Sequence, residues 1–332
     1  MLRLPRLDYL KPSSVREAAA FKAELGPRAM YVAGGTDVFP NLKRRQFATD
    51  ALIGLAHLAE LRGIRREDGI FRIGAAVTLT ELARDPSLLE AVPGYVEAAA
   101  GVSSPPLRNA GTAGGNLCVD TRCNYYNMTE HWRQSIGYCM KKDGQICLVA
   151  PSSPRCWAVS SSDTAPVAIA LCATVVLAGA AGERELPVEA LYRDDGIDYL
   201  AKRPDEVVTE LRLPAGRDVS TAYVKLRRRG SIDFPIAGAA VAMTLKDGTL
   251  STARIVLSAV GSLPVQSRAA EEFLAGQPAT AEVFAAAAEL AAKPAKPLDN
   301  ADLNHFWRKR MVRVVVEQAL AKAAARNRAG SD

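Results

Sequence analysis

The sequence predicts an α+β protein: two mixed α/β units, then an antiparallel sheet packed with helices. Three observations predict this class. At 332 residues the chain is too long for one small core, so two or three subdomains are expected. Short apolar strands alternate with helices up to about residue 217, and the last third carries an Asp247-Gly248 hairpin signal between two apolar strands. We therefore place the units at 1–57, 58–217 and 218–332.

Each unit has its own pattern of elements. Ser13-Ser14 precede a helix expected over 15–25, with Glu17 in its first turn. The residues 167–177 are expected to be buried, as a helix followed by a strand or as strand throughout. The last helix carries an incomplete apolar stripe that includes Phe306. Further strands are expected over 29–33, 71–77, 221–228, 239–245 and 253–260, and further helices near 39–45, 79–84, 95–100, 281–292 and 303–324.

Composition excludes several classes of protein. A hydrophobic content of 48% with 23% charged residues is that of a soluble globular chain. No apolar run approaches the ~20 residues of a membrane span. The first residues lack an apolar signal-peptide core and include Asp8, so we expect a cytoplasmic protein. In that compartment thiols stay reduced, and clustered cysteines are more often metal ligands than disulfides.

The net charge of +6 is concentrated in two places, 227–229 and the tail around 308–313. Two interpretations stay open: an ordinary solvated face, or a docking surface for an acidic partner. Nucleic-acid binding is not expected, because the basic residues are not interleaved with aromatic ones and no nucleic-acid-binding motif is present.

Four cysteines fall within one 34-residue stretch: Cys123, Cys139, Cys147 and Cys156. Their spacing lacks the CxxC pairs of zinc ribbons and the tight run of bacterial ferredoxins. Three interpretations follow: an iron–sulfur cluster, a structural zinc clip, or reduced buried thiols. Of the two other cysteines, Cys172 is expected to lie in the core, and Cys118 is expected to pack in the core or in a loop.

A turn separates two of these cysteines. Asp143-Gly144 is a tight-turn signal, and a three-residue loop over 142–144 with Gly144 left-handed would pair Cys139 with Cys147. Their Cβ atoms would then lie ~5 Å apart on one face. We therefore predict that loop, because it brings the two thiols together.

Two glycine loops have the composition of phosphate-binding loops. The first, 33–37, follows a strand and offers successive backbone N–H groups with few side chains in the way. The second, 111–116, is expected to grip the other side of a pyrophosphate. Neither loop is a Rossmann fingerprint. No Ser/His/Asp or paired-carboxylate pattern indicates hydrolytic chemistry, so no catalytic residue is assigned.

Four motifs in order carry a family resemblance: 33–38, 107–116, Ser162-Asp163 and 223–225. With them the chain resembles the FAD-binding medium subunits of the xanthine dehydrogenase and carbon monoxide dehydrogenase family of molybdenum hydroxylases. The resemblance covers nearly the whole chain. It implies a vanillyl-alcohol-oxidase-type FAD domain in two α/β subdomains, followed by a C-terminal α+β domain of the CO dehydrogenase flavoprotein type.

The resemblance also implies roles for individual residues. The two glycine loops would hold the FAD pyrophosphate, Asp163 would bond the flavin near its ring, and Lys225 would lie near the isoalloxazine and tune its potential. The alternatives are a helix N-cap for Asp163 and a plain strand lysine for Lys225. The expected FAD-binding residues are Val32, Ala33, Gly34, Gly35, Thr36, Asp37, Val38, Thr112, Ala113, Gly114, Gly115, Asn116, Asp163 and Lys225.

The cysteines lie in an insert at about 118–160, which puts Asn116 and Asp163 47 positions apart (163 − 116). A four-cysteine insert at this point resembles the 4-hydroxybenzoyl-CoA reductase branch of the family. That likeness implies a [4Fe-4S] cluster on Cys123, Cys139, Cys147 and Cys156. It also implies ferredoxin as electron donor, a molybdopterin-containing large subunit, a [2Fe-2S] small subunit, a dimer of heterotrimers, and reductive dehydroxylation of an aroyl-CoA.

Two other functions stay open. The chain could serve an oxidative molybdenum hydroxylase that passes electrons to NAD or a quinone. It could instead be a non-redox assembly subunit in which zinc ties down the insert. Reduction of the flavin by NADH separates the first of these from the reductase, and metal content separates the second.

Overall fold

The computed structural model describes residues 2–216 and 218–329. Within these residues the strands form three sheets, of three, five and four strands. The first sheet lies within residues 8–54, the second within 64–214 and the third within 219–266. The predicted domain limits at 57 and 217 stay predictions.

The first sheet is parallel, with the strand order β1-β3-β2. Its first helix begins where the sequence predicts, because the Ser14 side chain accepts a hydrogen bond from the Glu17 backbone N–H at 3.2 Å. The elements of this part are β1 (Asp8–Leu10), α1 (Val15–Leu25), β2 (Ala29–Val32), α2 (Val38–Lys43) and β3 (Ala51–Gly54).

The second sheet is antiparallel, with the order β4-β5-β8-β6-β7. Residues 167–177 form the end of a helix and then a strand, which resolves the ambiguity left by the sequence. The strands are β4 (Ile64–Glu67), β5 (Ile70–Gly74), β6 (Thr174–Gly179), β7 (Gly182–Pro187) and β8 (Val207–Pro214). The helices are α3 (Leu79–Arg84), α4 (Pro86–Ala91), α5 (Pro93–Gly101), α6 (Pro105–Arg108), α7 (Ala113–Leu117), α8 (Glu130–Ser135) and α9 (Thr164–Ala170).

The third sheet is antiparallel, with the order β12-β11-β10-β9. The predicted hairpin at Asp247-Gly248 is present, and both residues have the positive φ that a tight two-residue turn requires. The elements are β9 (Val219–Leu226), β10 (Ala237–Lys246), β11 (Thr249–Ser258), β12 (Val265–Gln266), α10 (Arg268–Leu274), α11 (Ala281–Ala291) and α12 (His305–Ala329).

The long helix α12 packs on the third sheet through Val312, Val316 and Leu320, which are fully buried. Two expectations about this helix are wrong. Phe306 is 69% exposed instead of lying in the core. Arg308 is fully buried instead of forming a contact surface, and its guanidinium donates to the backbone carbonyls of Leu298 and Ala259 at 2.8 and 2.7 Å. In the described part of the chain no helix is both long and apolar enough to cross a membrane.

Candidate functional site

The first glycine loop directly follows β2. Gly35 has a φ of +70°, and a Cβ there would lie 2.2 Å from the Phe39 ring, so this position needs glycine. The backbone N–H groups of Gly34, Gly35 and Thr36 donate to no acceptor within residues 2–216 and 218–329. Three unpaired N–H groups in one loop form a donor set suited to a phosphate.

The two glycine loops touch. A Cβ on Gly34 would lie 1.7 Å from the carbonyl oxygen of Ala110, so only glycine allows the loops to approach this closely. A Cβ on Gly111 would lie 3.6 Å from the hydroxyl of Thr36. The predicted proximity of the loops is therefore present.

The second loop uses its N–H groups within the protein, unlike the first. Ala113 and Gly114 donate to the carbonyls of Val77 and Ala75 at 2.8 and 2.9 Å, and Gly115 donates to the Thr112 hydroxyl at 3.1 Å. These glycines serve close packing beneath the loop. Of the two loops, only the first therefore offers a run of unpaired backbone donors among the described residues, and the expectation that the second grips a pyrophosphate stays a prediction.

Asn116, at the end of the second loop, holds the loop that contains Asp163. Its side-chain oxygen accepts hydrogen bonds from the Ser162 hydroxyl at 2.9 Å, the Thr164 hydroxyl at 2.7 Å and the Thr164 backbone N–H at 3.1 Å. Asn116 is buried, so these bonds fix the second loop and the 162–164 segment relative to each other.

Asp163 and Lys225 form a buried ion pair. Lys225 Nζ lies 2.8 Å from Asp163 Oδ2, and the Tyr223 hydroxyl donates to Asp163 Oδ1 at 2.8 Å. Burial raises the pKa of Asp163, and the charge of Lys225 offsets part of that rise. Asp163 makes no side-chain cap to α9, and Lys225 is not a solvent-exposed strand lysine. Asp163 therefore occupies the N-cap position of α9 without capping it through its side chain, and Lys225 is a buried, paired strand lysine. Their roles toward a flavin stay predictions.

The cysteine insert starts from a short antiparallel bridge beside the first loop. Arg122 and Val159 exchange backbone hydrogen bonds of 2.8 and 2.7 Å, which closes the base of the insert. The buried Arg122 guanidinium is ion-paired with Asp37 of the first glycine loop, and it stacks on Phe234 at 4.5 Å. This ion pair links the insert to the first glycine loop.

The four predicted cysteines line one cavity. All four thiols are buried, and the wall is completed by residues that include Tyr126 and Lys141. Burial raises the pKa of Cys123 to about 12 and that of Cys156 to about 11. The remaining two cysteines pack differently: Cys118 lies against the core, and Cys172 is exposed, contrary to expectation.

The loop between Cys139 and Cys147 differs from the predicted one. Asp143, with φ +61°, is the left-handed residue, and Gly144 is not. The Met140 N–H donates to the Ile146 carbonyl at 2.9 Å, which is the register that sets Cys139 opposite Cys147, although the two segments form no continuous strand ladder. A Cβ on Gly144 would lie 2.7 Å from the Tyr138 carbonyl oxygen, which explains why glycine is needed without a positive φ. Both thiols nevertheless reach the same cavity.

Lys141 is a site residue that sequence reasoning missed. Its nearly buried ammonium contacts Asp120 at 2.7 Å and the Thr121 hydroxyl at 2.8 Å, and it lies over the Tyr126 ring at 4.9 Å. Only its position two residues after Cys139 marks it in the sequence, and basic residues are common beside turns. Arg122 was also missed, because only its position directly before Cys123 marks it in the sequence.

The comparisons with known proteins match this fold. Residues 5–216 match the model of the FAD binding domain in molybdopterin dehydrogenase, and residues 221–323 match the CO dehydrogenase flavoprotein C-terminal domain. The chain therefore belongs to the FAD-binding medium subunits of the molybdenum hydroxylase family, and its α+β fold class is confirmed. It is an oxidoreductase subunit of the flavoprotein type.

Individual relatives agree with this assignment. The chain is 29% identical to the carbon monoxide dehydrogenase medium chain of Hydrogenophaga pseudoflava over 97% of this chain and 98% of that one. It is 28% identical to the nicotinate dehydrogenase FAD-subunit of Eubacterium barkeri, over 84% and 83%. A solved carbon monoxide dehydrogenase from H. pseudoflava superposes with a TM-score of 0.81 at 30% identity, covering 98% of this chain and 99% of that chain.

These relatives support the family and not the narrower resemblance to 4-hydroxybenzoyl-CoA reductase, because they are named as subunits of carbon monoxide dehydrogenase and nicotinate dehydrogenase. They also give no support to a cluster in this subunit. Within residues 2–216 and 218–329, no three His, Cys, Asp or Glu side chains are grouped to hold a metal ion.

Proposed function

We propose that this chain is a flavin- and iron–sulfur-containing electron-transfer subunit of a molybdenum enzyme. FAD is held by the two glycine loops, and a [4Fe-4S] cluster is held by Cys123, Cys139, Cys147 and Cys156. The observation that carries the proposal is that these four buried thiols line one cavity at the end of an insert. The Arg122–Asp37 ion pair at the base of the insert joins it to the first glycine loop.

The fit to FAD rests on the donors and the packing of the loops. Gly34, Gly35 and Thr36 supply free N–H groups for a phosphate, and Asp37 is neutralised by Arg122 instead of repelling it. The flavin, when bound, can exchange electrons singly or in pairs, so it can connect one-electron and two-electron partners. The proposed ligands are Val32–Val38, Thr112–Asn116, Asp163 and Lys225.

A single zinc ion and a four-iron cluster require different arrangements of the four cysteines. Tetrahedral zinc needs four ligands that converge on one point, with Zn–S distances of ~2.3 Å. No such convergence is present in the described residues, although all four thiols face one cavity. In a four-iron cluster each thiolate binds a different iron, so the thiolates surround the cavity without meeting at its centre. The proposal of a cluster over a zinc clip rests on the likeness of the four-cysteine insert, and metal content decides between them.

The proposed complex follows the family. We assign this chain a molybdopterin-containing large subunit and a [2Fe-2S] small subunit as partners, arranged as a dimer of heterotrimers. The proposed reaction is reductive dehydroxylation of a hydroxyaroyl-CoA, as in 4-hydroxybenzoyl-CoA reductase, with ferredoxin as donor. The extra cysteine site supports this direction, because a cluster there would give a low-potential one-electron donor an entry point of its own beside the flavin.

The test is anaerobic purification of the complex with iron, sulfide, zinc and FAD quantified, and EPR of the dithionite-reduced protein. We expect Cys139→Ser to lower the iron content by about four per FAD. Cys172→Ser is the matched control, since that thiol lies outside the cavity, and it should leave iron unchanged. An iron content that is equal in parent and Cys139→Ser would overturn the cluster, and one zinc per chain would favour the clip.

A second function is favoured by the names of the relatives. They are dehydrogenases, and an oxidative complex would send electrons from the molybdenum subunit through this chain to NAD or a quinone. Rapid reduction of the flavin by NADH in the intact complex would select this function. Reduction by ferredoxin but not by NADH would select the reductase.

A further inference from the structure

An open groove with an apolar floor and a basic rim adjoins the cysteine insert. One wall comes from the segment 150–157 and includes Ala150 and Trp157. The other wall comes from the start of α12 and the segment before it. The groove volume is about 610 Å³. It is therefore formed between the insert and the C-terminal part of the chain.

The floor and rim have the character of a protein-binding surface. Phe306 stands 69% exposed in this groove and also borders a second groove of about 690 Å³ on the other side. A large exposed aromatic side chain in an apolar depression is typical of an interaction site. The exposed Lys296 and Lys309 line the first groove, and Lys293 and Arg310 line the second.

The surface charge is predominantly positive after ion pairs are taken into account. Glu289 also lines the second groove, but its carboxylate is ion-paired with Arg313. The Glu289 carboxylate therefore does not neutralise the exposed lysines on the rim. Such a rim attracts an acidic surface and orients it before contact.

The groove is preformed because its two walls are tied together. The Asn300 side chain donates to the Trp157 carbonyl at 2.5 Å, and the Asn300 carbonyl accepts from the Asn124 N–H at 2.9 Å. The buried Arg308 guanidinium donates to the Asn300 side chain at 3.2 Å. Asn300 thus holds the insert against the C-terminal segment, and little ordering is needed on binding.

The groove and the cysteine cavity share one wall. Trp157 lines the groove and directly follows Cys156, which lines the cavity. Ala150 lines the groove, and its N–H donates to the carbonyl of Cys147 at 3.1 Å. The 147–157 segment therefore contributes residues both to the groove and to the cysteine cavity.

We propose that this groove is the docking site of a small acidic protein that carries a one-electron centre. The inference rests on the proposed function, since it gives that function its point of electron entry. Each encounter passes one electron: the carrier is oxidised by one electron and the subunit is reduced by one, with no bond or proton exchanged. Redox encounters of this kind are small and transient, which suits a single groove.

The test measures binding of an oxidised, acidic two-cluster bacterial ferredoxin to the intact complex by calorimetry, at low and at physiological ionic strength. The variant Lys296→Glu/Lys309→Glu should weaken binding about tenfold or more and reduce its salt dependence. Phe306→Ser should weaken binding at both ionic strengths without changing that dependence. The control Arg16→Glu/Lys246→Glu changes the net charge equally at exposed positions elsewhere and should bind like the parent.

Two results would overturn the docking site. One is unchanged binding by the Lys296→Glu/Lys309→Glu variant. The other is failure of that variant to assemble, seen by size-exclusion chromatography, which would make the groove a subunit interface. Iron is measured in the same samples, so the two proposals fail separately. A parent complex without iron at the cysteines removes the proposed function, whereas a loaded parent whose binding ignores the groove variants removes only the docking site.

Discussion

Lys225 Nζ lies 2.8 Å from Asp163 Oδ2, and this buried pair joins the strand β9 to the start of the helix α9. The ammonium also donates to the Gly101 carbonyl at the end of α5, at 2.9 Å. One lysine therefore fastens three elements next to the proposed flavin site. Because Asp163 balances its charge, Lys225 would act on a flavin bound at the proposed site as half of a dipole and not as a free cation.

Replacing Lys225 by Met is expected to destabilise the protein by about 3–5 kcal/mol, because it leaves the Asp163 carboxylate buried without its partner. Adding Asp163→Asn should recover much of the loss, since no buried charge then remains. Thermal melting measures both variants, with unfolding monitored by the fluorescence of the released FAD. Equal melting of parent and Lys225→Met would contradict the role of the pair.

The same pair predicts a pH dependence. Burial raises the pKa of Asp163 above the ordinary value of about 3.9, so the folded state holds the proton more tightly than the unfolded state. This contribution to stability is complete below that ordinary value and is lost as the pH rises through the raised pKa. In Lys225→Met the pKa rises further, so the loss should extend to higher pH. Melting temperatures of parent and variant across acidic and neutral pH test the sign.

Local patterns in the sequence predicted local structure well. The Ser14 cap, the 79–84 helix and the Asp247-Gly248 hairpin are present because each depends on neighbouring residues only. The strand β8 was missed, although it lies between β5 and β6 in the second sheet. Its place there is set by pairing with strands distant in sequence, which no local pattern records.

The site was predictable where a motif was present and unpredictable where tertiary contacts decide. The glycine loops and the four cysteines could be located from composition and spacing. The partners of Arg122 and Lys141 could not, because Asp37 and Asp120 reach them only after folding. Arg308 shows the same limit: a basic tail residue looks exposed until its backbone acceptors are known.

Replacing Arg122 by Met is expected to lower FAD affinity about tenfold or more, since a hydrogen bond to a charged group contributes ~1.5–3 kcal/mol. Without the guanidinium, Asp37 keeps an unpaired negative charge in the proposed phosphate-binding loop. FAD titration of the deflavinated protein measures this effect. Asp37→Asn in the same background removes the charge and should restore part of the affinity. A double variant as weak as Arg122→Met would place the effect elsewhere.

Glu206 predicts acid sensitivity away from the flavin site. Hydrogen bonds from Arg184, at 2.6 and 2.9 Å, are the main cause that lowers the pKa of this buried carboxyl to about 2. This lowered pKa stabilises the folded state at pH values above the ordinary pKa of the carboxyl. That stabilisation is lost as the pH falls through about 2. Glu206→Gln should lower the free energy of unfolding by about 1–2 kcal/mol at neutral pH and leave it unchanged near pH 2. The loss at neutral pH is modest because Arg184 is partly exposed. Acid unfolding of parent and variant should converge there.

Lys141 offers the sharpest test of the insert, because its neighbour provides the control. Lys141 and Asp120 are both nearly buried at 2.7 Å, whereas the adjacent Lys142 pairs at 3.1 Å with the exposed Asp143. Lys141→Met should destabilise the insert by about 3–5 kcal/mol, since it strands a buried carboxylate beside the cysteine cavity. Lys142→Met should cost less than about 1 kcal/mol.

Hydrogen exchange over 119–159 reports this difference directly, because it detects local opening without requiring any bound metal. Lys141→Met should accelerate exchange across the insert while the third sheet stays protected, and Lys142→Met should resemble the parent. Asp120→Asn combined with Lys141→Met should recover protection, because the buried charge is then absent. If both lysine variants exchange alike, the buried pair does not hold the insert closed. The placement of the four cysteines around one cavity must then depend on the turn at Asp143 and the bridge at Arg122 instead.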